Sequence, residues 1–191
     1  MSLHRTASLV TLTAILCLAS TGDANAQTRP ADDSGDPNVR IIRDASGGQT
    51  SPIATTMFGA GVRNCATRVD QVGIFLTRNT KSTAMVFLPD KEPDNSMISV
   101  SMEVVGEGTP RAYASATFSP NTAIGCAAEY ETVQYWPESC NSVAQKQFKG
   151  ATAPAVLGGE ISVLTIGPLA RVFLMRATAT SCVSIKKEIL R

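Results

Sequence analysis

The chain has 191 residues, 17 Lys and Arg against 16 Asp and Glu, a net charge of +1 and only 17% charged residues. Such a balance gives no electrostatic basis for binding nucleic acid or an anionic membrane, both of which need a basic excess on one face. The only histidine is His4.

An apolar run from Ala7 to Ala19 follows Arg5 and ends in small residues, with Ala24 and Ala26 at the −3 and −1 positions that signal peptidase requires before Gln27. The run is shorter than the roughly 20 residues of a membrane helix. Residues 1–26 are therefore expected to be a cleavable export signal. Cys17 sits inside the apolar run behind Ile15 and Leu16, without the small residue that precedes a lipidated cysteine, so no lipid anchor is expected. No later stretch reaches the length of a membrane helix, and Arg5 and Asp23 leave together, so the mature net charge stays at +1.

Residues 27–52 are rich in Asp, Gly, Ser, Pro and Thr, contain no aromatic residue, and are expected to form a flexible leader. Val39, Ile41 and Ile42 could supply at most a short edge strand there. The remainder, 53–191, is expected to fold as one domain. Between Gly59 and Asn79, Val62, Cys65, Ala66, Val69, Val72, Gly73 and Leu76 recur at helical intervals, which predicts an amphipathic helix with Cys65 facing the core. Gly59-Ala60-Gly61 lacks a third glycine and a preceding strand, so it is taken as the entry to that helix rather than a phosphate loop.

The period then changes to two. Thr83–Leu88 and Met97–Val105 predict a hairpin across the Pro- and Asp-rich stretch 89–95, and Ala112–Phe118 and Ala127–Trp136 predict two more strands. Pro137 suits the first turn of a short helix over Glu138–Phe148, in which Cys140, Val143, Ala144 and Phe148 form an apolar stripe. Glu160–Ile166, Ala170–Ala177 and Cys182–Leu190 close the chain as strands. Runs of strands without intervening helices favour an α+β fold, an antiparallel sheet of about six to seven strands with two helices packed on one face.

Once Cys17 leaves with the signal, Cys65, Cys126, Cys140 and Cys182 remain, an even set in an oxidising compartment, which points to two disulfides. Their separations of 61, 14 and 42 positions contain no C-x-x-C, which argues against a structural zinc site. An extended strand after Cys126 would carry Cys140 roughly 30 Å away, against the roughly 7 Å that a disulfide permits between Cα atoms. Two connectivities remain; Cys140 follows one strand and Cys182 begins another, and if those strands pair antiparallel the expected pairs are Cys140–Cys182 and Cys65–Cys126.

Loss of His4 with the signal leaves no imidazole for Ser-His-Asp, Cys-His or histidine-metal chemistry. Carboxylates remain: Glu129 and Glu131 lie two apart on one strand face, with Glu103 a third candidate, the set a histidine-independent polysaccharide hydrolase would need. Tyr130 and Trp136 fall on the opposite face, as core anchors, while Tyr135 shares the face of Glu129 and Glu131. The methionines are dispersed, as in core packing rather than a copper site. No cofactor is expected. The function expected is that of a periplasmic or secreted, non-enzymatic protein binding another protein or a cell-envelope component. Its contact surface would be Glu129, Glu131 and Tyr135, or a C-terminal edge strand bearing Lys186 and Lys187. The alternatives are a carboxylate hydrolase using Glu103, Glu129 or Glu131, and a small secreted inhibitor or virulence factor.

Overall fold

A computed structural model describes residues 35–191, with residues 153 and 154 described by backbone alone. The export signal, its cleavage site and residues 27–34 of the leader lie outside the described residues. The elements in chain order are β1 (Val39–Ile42), α1 (Pro52–Gly59), α2 (Ala66–Thr77), β2 (Thr80–Phe87), β3 (Ile98–Gly106), β4 (Ala112–Asn121), β5 (Gly125–Trp136), α3 (Cys140–Gln147), β6 (Thr152–Leu157), β7 (Ile161–Gly167), β8 (Ala170–Thr178) and β9 (Ser181–Leu190). The nine strands of the described residues join one antiparallel sheet in the order β1-β2-β3-β4-β5-β9-β8-β7-β6. The chain meanders from β1 to β5, crosses through α3 to the far edge, and meanders back until β9 seats beside β5.

This sheet is larger than the six to seven strands and two helices expected. Within the expected leader, Val39–Ile42 pairs with Phe87–Ala84 of β2, and Ala45 is fully buried. Helix α1 is the third helix: Pro52 occupies its first turn and the Ser51 hydroxyl accepts from the Ile53 N–H at 3.2 Å. The residues read as the start of a single helix from Gly59 instead terminate α1 and turn the chain. Gly61 has φ +96°, and the Asp94 carboxylate accepts from the backbone N–H groups of Arg63 and Asn64 at 2.7 and 2.5 Å. Those bonds hold the Asp94 carboxyl below its usual range. Gly59-Ala60-Gly61 is thus a helix exit, not an entry. Similarly, α3 starts at Cys140 with Ser139 as its N-cap, and Pro137 stands outside the helix.

Both disulfides link the start of a helix to the start of a strand. Cys65, at the N-cap of α2, bridges Cys126 near the start of β5, and Cys140, the first residue of α3, bridges Cys182 of β9. The second bridge follows from the register, since Trp136, four residues before Cys140, lies directly opposite Cys182.

Alternation puts Val86, Val100, Ala116 and Tyr130 in one cross-strand row beneath the helices. Helices α1 and α2 add Ile53, Met57, Val69, Val72 and Leu76 to this main core. Close approach of the two helices depends on Gly73, where a β-carbon would collide with the Ser51 side chain. A smaller core lies under α3, with Val143, Leu164, Val172, Leu174 and Cys182 buried and Trp136 and Phe148 packed against them. The indole N–H of Trp136 donates to Ser184 Oγ at 2.8 Å. Between the cores, Tyr130 donates to Glu188, and the Lys186 ammonium lies 5.1 Å from the Tyr130 ring centre and 5.5 Å from that of Phe75. Burial, with the Glu188 carboxylate, pushes the Tyr130 phenol well above its ordinary range. All three helices therefore share one face of the sheet.

Candidate functional site: the uncovered sheet face

Strand alternation sends every second side chain of the sheet to the face without helices. There, cross-strand register builds a mainly apolar row of Tyr113, Val133, Ile185, Phe173 and Val163. A neighbouring row brings Tyr135, Val183 and Met175 together. Tyr135 is 52% exposed, Tyr113 46% and Met175 41%. Adjacent to the first row, Ser115, Glu131, Lys187 and Arg171 form a polar row.

Glu129, Glu131 and Tyr135 all point to this open face. Two-residue steps along β5 place Glu129 and Glu131 roughly 7 Å apart and Tyr135 roughly 13 Å beyond Glu131. Lys187 ties the two carboxylates together, its Nζ standing 2.9 Å from Glu129 and 3.6 Å from Glu131. The hydrogen bond to Glu129 raises the Lys187 pKa against the opposing effect of partial burial, and Glu131 adds to the rise. Glu103 is on the same face but two strands away, roughly 10 Å in the pairing direction, and binds Arg111 at 2.8 Å. The third carboxylate is thus not brought to the other two.

The C-terminal strand is not an edge. Strand β9 lies between β5 and β8, because the crossover through α3 returns the chain to the sheet's middle. Lys186 and Lys187, consecutive in the strand, also point to opposite faces, so the expected edge surface carrying both does not form. Among the described residues, no three His, Cys, Asp or Glu side chains are grouped to hold a metal ion. No described helix is long and apolar enough to cross a membrane.

A second feature of this face is an open trough of about 520 Å³ across β1–β4, lined by Ile41, Thr83, Met85, Ser101, Glu103, Arg111 and Tyr113. Ser101 Oγ and the Tyr113 hydroxyl share a hydrogen bond of 2.9 Å on its wall. The trough meets a more polar hollow through Thr83 and Glu103, where Arg43, Asp44, Ser46 and Lys81 gather. The alternation of Thr83 and Met85 on one side of β2 was visible in the sequence, whereas Lys81 precedes the strand expected over Thr83–Leu88 and joins that side because β2 begins at Thr80. The docking of β1, which brings Ile41 and Arg43 alongside, was not.

No protein family, curated protein or solved structure matches this chain.

Proposed function

We propose that the protein is an exported, non-enzymatic binding protein of the bacterial cell envelope, which engages a protein or envelope component through the open sheet face around Glu129, Glu131 and Tyr135. The observation that supports this most is the contiguous row Tyr135, Val183 and Met175 beside Tyr113, Val133, Ile185 and Phe173, left uncovered while all three helices pack on the other face. Exposed apolar patches of this kind mark interaction surfaces. The Glu129–Lys187–Glu131 cluster at its margin would give orientation and partner discrimination. Two disulfides suit an oxidising compartment.

The carboxylate-hydrolase alternative has two glutamates at a workable separation, but a general acid needs a desolvated carboxyl kept protonated in a cleft. Glu129 and Glu131 share a lysine on an open face, and Glu103 is paired with Arg111, so no observation favours that alternative.

The test is site-specific photocrosslinking of the exported protein in its native envelope. A crosslinker at Tyr135 should give a discrete adduct that is lost in Glu131→Ala, whereas one at exposed Thr55 on α1 should give none. Equal labelling from both positions, or none from Tyr135, would reject the surface.

A further inference from the structure

The trough across β1–β4 has an uneven charge distribution that the interaction surface around Tyr135 does not use. Its β1–β2 wall is apolar, with Ile41 opposite Met85, while Arg43 and Lys81 stand at the end reached past Thr83. Two carboxylates, Glu103 and Asp44, line the same hollow, and Glu107 borders Lys81 in the neighbouring one. Glu103 is held by Arg111 at 2.8 Å, and the Asp44 carboxylate accepts from the Ser46 N–H at 3.1 Å. Arg43 and Lys81 are both exposed and form no ion pair with another described residue. A volume of about 520 Å³ falls within the range of small-molecule sites. A trough with an apolar β1–β2 wall that ends at two exposed cations, neither in an ion pair with another described residue, is complementary to a molecule with a long apolar body and one acidic end.

We propose that this trough binds a single-chain anionic amphiphile, a long-chain carboxylate, with its chain against Ile41 and Met85 and its head between Arg43 and Lys81. Recognition is divided between the two parts. Burying methylene groups against the apolar wall supplies most of the affinity. The cations choose an acid over a neutral head. The Tyr113–Ser101 hydroxyl pair lies on the wall opposite β1 and limits the trough's width.

The experiment titrates the purified exported protein with a fluorescent long-chain fatty acid, in parallel with the uncharged alcohol of the same chain length. One saturable site is expected for the acid, with the alcohol about tenfold weaker, as the loss of a charged-group contact implies. Arg43→Glu with Lys81→Glu should weaken the acid at least about tenfold and leave the alcohol unchanged, and Met85→Gln should weaken both. Far-UV circular dichroism confirms that these surface variants remain folded, and crosslinking from Tyr135 should persist in them, so the trough and the Tyr135 surface fail or stand separately. Absence of saturable binding, equal affinity for acid and alcohol, no effect of the double charge reversal, or association only with vesicles of anionic phospholipid would each overturn the proposal.

Discussion

Both faces of the sheet carry large apolar side chains, but only one of them is covered by helices. Beneath the helices, Phe118, Val100, Ala116 and Tyr130 are within a few per cent of full burial. On the open face, Met175 on β8 keeps more than a third of its surface in water, as do Tyr113 and Tyr135, although these two sit in two of the same strands, β4 and β5. The covered face thus carries the packing that stabilises the fold, the open face is the one proposed to bind, and a side chain's effect should depend on its face rather than on its hydrophobicity.

The largest test of the covered face removes its staples. Sequence separations of 61 and 42 correspond to about 4 kcal/mol for each bridge in the chain-entropy account. The two losses should differ in location. Cys140→Ala with Cys182→Ala should release α3 from a core of only five buried residues, lowering the transition followed by Trp136 fluorescence before that followed by circular dichroism. Coincident transitions would show that the two cores unfold as one.

Next comes a comparison within one strand. Phe118→Ala should cost at least about 3 kcal/mol in denaturant unfolding, whereas Tyr113→Ala on the same β4 should cost less than about 1 kcal/mol. Equal costs would contradict the division of labour between the faces. A smaller effect is expected from Ser184→Ala, which leaves the Trp136 indole N–H without its acceptor and should cost about 1 kcal/mol with a shift in tryptophan emission.

The pH effects should be smallest and should run in opposite directions. Asp94 and Glu138 have folded-state pKa values below their ordinary ones, the first through the N–H groups of Asn64 and Arg63, the second through Lys146 and then Ser142. Their contributions are present above the ordinary carboxylate range and are lost as pH falls through the depressed values. Lys187 has a raised pKa, so its contribution is complete below about 10.5 and is lost as pH climbs through the folded value. Asp94→Asn should flatten the acid limb of stability against pH, and Lys187→Met the alkaline limb; an unchanged alkaline limb would show that the bridge to Glu129 and Glu131 contributes nothing to folding.

Local periodicity made the long elements legible. The buried stripe of Val69, Val72 and Leu76, the alternation in β3 and β5, and the placement of Glu129, Glu131 and Tyr135 opposite Tyr130 all follow from spacing alone. The bridges were legible through reach, because a strand separates Cys126 from Cys140. Helix α1 was not, since Ala54, Thr55 and Thr56 give little amphipathic contrast and its strongest marks are the Ser51 cap and Pro52. Strand β6 lacks alternation, and β1 acquires its strand form by pairing with β2. The central position of β9 depends on pairing with β5 at separations of 46 to 62 positions, so that position and the trough beside Ile41 required the assembled sheet, whereas the opposite orientation of Lys186 and Lys187 follows from strand alternation alone.

The proposed export underlies the account of both the stapled face and the contact surface, so the most direct test is a peptide map of the mature protein by mass spectrometry with and without reductant. The account predicts an N-terminus at Gln27 and two bridges, Cys65–Cys126 and Cys140–Cys182. Four free thiols, or a chain that retains its first 26 residues, would contradict it.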